Sequence, residues 1–230
     1  MLELQLTRGA ERSMIEVVQD APKVAPRNDQ TWLIGNVVTA CLLLGFEIWG
    51  GSGPTRREQL SGPGTTFLPL PVAQRGGWRD FGQADLDEVV MLAPFVPAEA
   101  FGEPQSASGI ALRRFLLGCA DRTDADALID FTIALEAVLL PRTKESELRF
   151  RFALNGAYAS GADAVERPTL FELLLDVYDD RSKVVHGGRV DPARLTVTAR
   201  RARDITAVIL RRGLKMGWLG QEDFRRLALE

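Results

Sequence analysis

The residue types best suited to chemistry are Arg181 and His186, which lie five residues apart in the segment R-S-K-V-V-H, directly before Gly187 and Gly188. Histidine can accept or donate a proton near neutral pH, and arginine offers a planar set of donors to a phosphate whose charge grows in the transition state. These types suit RNA cleavage by attack of a ribose 2′-hydroxyl. This reaction is helped by both a base and an acid. Because the chain has one His, either one group serves both steps or the pairing of two chains supplies a second His.

The segment from Pro168 to His186 has the pattern of one amphipathic helix. Its polar face holds Glu172, Asp176, Asp179 and Lys183, and its apolar stripe holds Leu170, Leu174, Val177 and Tyr178. Arg181 falls on the apolar stripe, so it must be paired or face a cleft, whereas His186 falls on the polar side. Residues five apart lie roughly 140° apart around a helix, so one helix does not aim both side chains at one point. A two-fold dimer, with two copies of each in a shared cleft, resolves this.

A plainer interpretation of the same two residues is structural. An Arg near the end of a helix often binds carbonyls or a carboxylate, and a His in the last turn complements the helix dipole. Spacing alone favours this interpretation.

Glu136 lies between Leu135 and Ala137 and is predicted to be partly buried, so it needs a cation or donors. Two roles are open. Glu136 orients Arg181 or His186, or it forms an ion pair with Arg149 or Arg151 on the next helix.

From Ser106 onward the sequence has long helical periods, and we predict a mainly α fold with a C-terminal antiparallel bundle of four to five helices. Thr123 followed by Asp126 is an imperfect capping pattern, and Gly161 and Gly187 mark helix ends. The predicted helices are Ser108 to Ala120, Thr123 to Leu140, Ser146 to Ser160, Pro168 to His186, and Pro192 to about Leu214.

Residues 1–104 are predicted to form a smaller mixed α/β region of unknown role, and residues 105–230 the helical bundle. The N-terminal predictions are strands at Leu2 to Thr7 and Ile15 to Val18, a helix at Asp29 to Trp49 capped by Asp29 or Thr31, a surface loop at Gly50 to Gly64, and an edge strand or polyproline segment at Phe67 to Val72.

Composition narrows the class of function. Residues 1–104 carry 8 Lys+Arg against 13 Asp+Glu, and residues 105–230 carry 20 against 18, so the net charge of −3 argues against non-specific coating of nucleic acid. Two cysteines, Cys41 and Cys119, and one His give no cluster at metal-ligand spacing. We therefore expect no metal and no cofactor. The longest apolar run, Trp32 to Phe46, is short of a membrane span, and the start does not resemble a signal peptide, so we expect a cytoplasmic protein without membrane contact.

Three segments in order resemble the HEPN superfamily, specifically its ApeA-like branch. They are D-A-L-I-D-F-T-I-A-L-E-A-V-L-L-P at Asp126 to Pro141, E-L-R-F-R-F-A-L at Glu147 to Leu154, and Y-D-D-R-S-K-V-V-H-G-G at Tyr178 to Gly188. The hallmark of that family is an Arg followed, after four to six residues, by a His near a helix end. The resemblance covers about half of the chain and implies an all-helical domain with Arg181 and His186 as its site.

The resemblance implies a metal-independent endoribonuclease, often dimeric, of the kind found in antiviral abortive infection and toxin-antitoxin pairs. The expected partners are an RNA substrate, a second HEPN chain as homodimer or pseudo-dimer, and an antitoxin or defence-system protein. Ser182, Glu136 and Tyr178 are expected to support the site, and Lys183 and Arg189 to bind RNA. Ser182 stands where active members often carry Asn, Asp or His. That departure favours the alternative, a catalytically silent HEPN module that binds RNA, nucleotide or a partner protein.

The fifth predicted helix carries a run of basic residues. Such a run is usually a solvated face, although it tracks an RNA backbone if it borders the Arg181 cleft. The run comprises Arg194, Arg200, Arg201, Arg203, Arg211, Arg212 and Lys215.

Overall fold

A computed structural model describes residues 2–8, 13–19, 28–46, 82–120, 123–140 and 147–227 of the 230-residue chain. Contacts divide the chain into two compact units, residues 1–96 and 97–230. The described residues are mainly helical, which confirms the predicted class. Among these residues, none of the helices combines the length and the apolar character that crossing a membrane requires.

The first unit contains two strands and two helices among its described residues. Strands β1 (Leu2–Arg8) and β2 (Ser13–Gln19) pair in antiparallel fashion with Leu2 opposite Gln19. Helix α1 spans Asn28–Leu43, and α2 (Gln83–Leu92) leads into a 3₁₀ turn at Ala93–Phe95. The loop predicted at 50–64 and the segment predicted at 67–72 lie outside the described residues. A mixed α/β arrangement of residues 1–104 therefore stays a prediction.

The predicted ends of α1 were wrong. The helix begins at Asn28, so Asp29 and Thr31 lie inside its first turn and neither is the N-cap. It stops at Leu43 because Gly45 adopts a left-handed conformation with φ 84°, well before the predicted end at residue 49. The buried face of α1 includes Cys41, and burial raises the pKa of this thiol to about 12. Cys41 therefore behaves as a small apolar side chain.

The second unit contains six α-helices among its described residues. They are α3 (Ala107–Cys119), α4 (Asp124–Leu139), α5 (Leu148–Ala159), α6 (Arg167–Val185), α7 (Pro192–Met216) and α8 (Gln221–Leu227). The five helices predicted between residues 108 and 214 correspond to α3 to α7, with ends shifted by a few residues.

Side-chain caps fix where several of these helices begin. Thr123 Oγ1 accepts the Asp126 backbone N–H (3.1 Å), as the capping pattern predicted, and Ser106 Oγ accepts the N–H of Gly109 (3.0 Å). Glu99, in the short 3₁₀ helix Ala98–Phe101, accepts backbone N–H groups of Gln105 (2.7 Å) and Ser106 (3.1 Å). These bonds tie residues 97–104 to the start of α3. The second unit therefore begins at residue 97, ahead of the boundary at 104/105 that the sequence indicated.

Helix α4 packs against α3, α5, α6 and α7 and so lies at the centre of the second unit. Phe131 of α4 is fully buried and contacts Phe115 of α3, with ring centroids 5.8 Å apart. Gly118 lets α3 approach this ring, because a Cβ there would lie 2.6 Å from Phe131. The central helix fixes the position of α6, which carries Arg181.

Both ends of α6 agree with the sequence prediction. Pro168 lies in the first turn, where its missing N–H leaves no hydrogen bond unmade. The helix ends at Val185, His186 is the C-cap, and Gly187 takes the left-handed conformation with φ 74° that ends the helix.

Candidate functional site

Arg181 forms an ion pair with Glu136, which joins α6 to α4. Its Nη2 lies 3.3 Å from Oε2 of Glu136, and the two side chains are 22% and 26% exposed. Of the two alternatives predicted for Arg181, paired or facing a cleft, the structure shows the pair. Of the two roles left open for Glu136, the structure supports the contact with Arg181, since Arg149 instead pairs with Asp179.

The pairing of Arg181 leaves donors of its guanidinium unused. Arg149 donates two hydrogen bonds of 2.6 Å to Asp179, from Nε to Oδ1 and from Nη2 to Oδ2. Arg181 makes one contact of 3.3 Å to Glu136, and its buried Nε has no partner among the described residues. A buried donor without an acceptor is costly, so an orphaned Nε is a mark of an incomplete site. The guanidinium therefore has donors beyond the one that contacts Glu136.

Glu136 is held in a partly dehydrated position. Burial raises the pKa of its carboxyl group, and the positive charge of Arg181 offsets only part of that rise. The pair is therefore not a tight, fully compensated salt bridge.

His186 lies at the exposed end of α6. Its backbone N–H donates to the Ser182 carbonyl (3.0 Å), and within the described part of the chain its imidazole has no hydrogen-bond partner. No hydrogen bond between described residues joins the side chains of His186 and Arg181, since Arg181 contacts α4 and His186 lies in solvent. The structure of one chain therefore does not bring the two side chains together by direct contact.

The other predicted site residues lie around this helix end. Ser182 is half-buried, and the ring of Tyr178 packs on Phe152 with centroids 5.3 Å apart. Lys183 donates to Asp180 (3.3 Å). Arg189 is exposed just beyond the two glycines. Tyr178 thus serves core packing, while Lys183 and Arg189 are both accessible to a ligand.

Asp180 is the residue that sequence reasoning missed. Its side chain is 0% exposed and accepts hydrogen bonds from Arg194 Nε (2.7 Å), Thr198 Oγ1 (3.0 Å) and Lys183 Nζ (3.3 Å). Burial raises the pKa of Asp180, but these hydrogen bonds outweigh it and hold the pKa below its usual value. Its position three residues after the apolar Val177, next to Arg181, could have identified it.

The network around Asp180 locks α6 to α7 and so fixes the chain on both sides of the Gly187 turn. Arg194 also reaches Asp176 (3.2 Å). Asp176 and Lys183 were predicted to form a solvated face, and both remain largely exposed while binding to this network. The hydrogen bonds and ion pairs of the buried Asp180 therefore help to position the turn that carries His186.

The basic run on α7 is only partly solvent-facing. Arg200, Arg201 and Arg212 are exposed, in line with the predicted solvated face. Arg203 is buried, and its Nη2 has no partner among the described residues, so the prediction was wrong for this residue.

Two pockets in the second unit lie away from Arg181 and His186. One of about 290 Å³ includes Glu166 and Asp204 in its lining, and burial raises the pKa of Asp204. The other, of about 130 Å³, is bounded by Trp218 and Phe224. Neither contains a residue of the predicted site.

In the part of the chain that the structure describes, no group of three His, Cys, Asp or Glu side chains is placed to hold a metal ion. Comparison of the chain with protein-family models, curated proteins and solved structures finds no match.

Proposed function

We propose that the protein is a metal-independent endoribonuclease of the HEPN type, acting on RNA in the cytoplasm in antiviral defence or growth arrest. The observation that carries this proposal is the state of Arg181, a half-buried guanidinium with one weak contact to Glu136 and an orphaned Nε. It lies one turn before His186, an exposed histidine at a helix end.

In this reaction Arg181 binds the scissile phosphate and stabilises the charge that builds on its oxygens. His186 takes the proton of the ribose 2′-hydroxyl, which attacks the phosphorus and releases a 2′,3′-cyclic phosphate. Lys183 and Arg189 contact neighbouring phosphates. Ser182, Glu136 and Tyr178 support Arg181 and the helix end.

The proposal includes a homodimer, or a pseudo-dimer with another HEPN chain, through the α6 helices. The separation of Arg181 from His186 around one helix supports it, as does the single His of the chain. A two-fold axis near this helix end places the His186 of one protomer beside the Arg181 of its partner. An antitoxin or defence-system protein is the further partner that we propose.

A catalytically silent HEPN module is the second candidate. The Glu136 contact favours it, because a carboxylate already occupies part of the Arg181 guanidinium. Ser182 also favours the silent module, because it stands where active members of the family often carry Asn, Asp or His. In that case the site binds RNA, nucleotide or a partner protein without cleaving.

The deciding experiment is cleavage of purified transfer RNA and total RNA in excess EDTA, with fragment ends mapped chemically. Discrete fragments ending in 2′,3′-cyclic phosphate, absent with His186→Ala, support the ribonuclease. Binding of the same RNA without any fragment supports the silent module. Fragments that persist undiminished with His186→Ala mean that His186 does not act in cleavage, and they contradict the ribonuclease proposal.

A further inference from the structure

We propose that Glu136 is the general acid of the reaction, donating a proton to the 5′-oxygen that leaves. This inference rests on the proposed ribonuclease function and adds a second proton-transfer group to the same site.

The number of proton-transfer groups favours a catalytic role for Glu136. Cleavage by a 2′-hydroxyl moves two protons, one off the attacking oxygen and one onto the leaving oxygen. The chain has one His. A titratable group of another kind beside Arg181 therefore supplies the second proton transfer, whichever protomer provides His186.

The position of Glu136 beside Arg181 also favours this role. Glu136 Oε2 lies 3.3 Å from Arg181 Nη2, and both side chains are partly exposed, so a ligand can reach both. A phosphate bound by the free donors of Arg181 lies beside the Glu136 carboxyl group. Among the described residues, Arg181 is the charged group whose field acts on this carboxyl group.

The environment of the Glu136 carboxyl group affects its protonation. Burial raises the pKa of Glu136 and so increases the fraction that carries a proton to donate. Glu172 on α6 provides the contrast, since its side chain is exposed. The charge of Arg181 opposes this shift at Glu136, and burial is the larger of the two effects.

The imidazole of His186 takes the 2′-hydroxyl proton as the O2′–P bond forms, and the P–O5′ bond breaks as the carboxyl proton of Glu136 moves to O5′. The products are a 2′,3′-cyclic phosphate and a 5′-hydroxyl, with Glu136 ionised and His186 protonated. Proton exchange with water restores both groups.

The test compares two RNA substrates, one natural and one in which sulfur replaces the bridging 5′-oxygen at the cleavage site. A thiolate leaves without being protonated, so the sulfur substrate does not need an acid. Glu136→Gln keeps the size of the side chain and an acceptor for Arg181, and Glu172→Gln is the matched control. Unfolding temperatures of both variants report on the fold.

We expect Glu136→Gln to slow cleavage of the natural substrate by about 10²-fold or more. On the sulfur substrate it should cut within a few-fold of the unmodified protein, and Glu172→Gln should match the unmodified protein on both. Equal slowing on both substrates makes Glu136 a positioning residue for Arg181 and overturns the inference. An unchanged rate on the natural substrate overturns it too, while the ribonuclease proposal stands. If the unmodified protein cuts neither substrate, the proposed function fails and this inference fails with it.

Discussion

Replacing Asp180 with alanine should destabilise the second unit far more than replacing its neighbour Asp179. The Asp180 carboxylate is fully buried and accepts three hydrogen bonds, two of them from cations. Asp179 is 39% exposed and pairs with Arg149, which is itself exposed. The two positions are adjacent, so the pair of variants isolates burial of the charge.

The magnitude follows from what each deletion leaves behind. Breaking a buried ion pair by removing one partner costs about 3–5 kcal/mol when the other charge stays buried. Arg194 is 48% exposed and retains its ion pair with Asp176. Its charge is therefore hydrated in the variant, and the loss of stability is smaller. The buried Thr198 hydroxyl still loses its acceptor. We expect about 2–3 kcal/mol for Asp180→Ala and at most about 1 kcal/mol for Asp179→Ala.

Thermal and urea unfolding at pH 7, followed by circular dichroism, measure these values. For a chain of this size, 2–3 kcal/mol lowers Tm by about 4–12 °C. The pKa of Asp180 is lowered in the folded protein, so its contribution is fully present above the ordinary carboxyl range. It is lost as the pH falls below about 4. Equal losses for the two variants, or a loss that persists unchanged at pH 3, would refute this reasoning.

Three further predictions concern the site and the core. Arg181→Lys should keep less than about a tenth of the cleavage activity with little change in Tm, because an ammonium cannot reproduce a planar fork; recovery of full activity in an RNA assay would contradict a phosphate-binding role. Gly118→Ala should lower stability by about 1–3 kcal/mol in urea unfolding, since its Cβ would meet the buried Phe131 ring, and a neutral result would show that α3 can move aside. Light scattering should give twice the 25.3 kDa chain mass, and a monomer that cleaves RNA at low concentration would remove the shared cleft.

Much of the helical unit could be predicted from the sequence because its signals are local. Thr123, Pro168 and Gly187 act within a turn of their own position, so capping and helix-ending rules place them correctly. The helical periodicity of α6 placed Arg181 on the apolar stripe. This position predicted that its guanidinium is paired or faces a cleft.

What could not be predicted depends on contacts between distant residues. The partner of Glu136 lies 45 residues along the chain, and periodicity does not choose between Arg181 and the arginines of the next helix. No role was predicted for Asp180, because its hydrogen-bond partners Arg194 and Thr198 lie on α7, and spacing within α6 does not reveal them. The prediction of where α1 begins was wrong for a local reason. Asp29 and Thr31 are both acceptable N-cap residues, but the helix begins before either of them.

The most direct test of the central claim measures RNA cleavage and stability together for His186→Ala and Arg181→Ala. If Arg181 binds phosphate and His186 moves protons, each variant loses about 10²-fold or more in cleavage rate in EDTA. His186 is exposed and without a side-chain partner among the described residues, so its variant should unfold at the temperature of the unmodified protein. A fully active His186→Ala beside a markedly less stable Arg181→Ala would contradict the ribonuclease account and leave the Arg181–Glu136 pair as a structural contact.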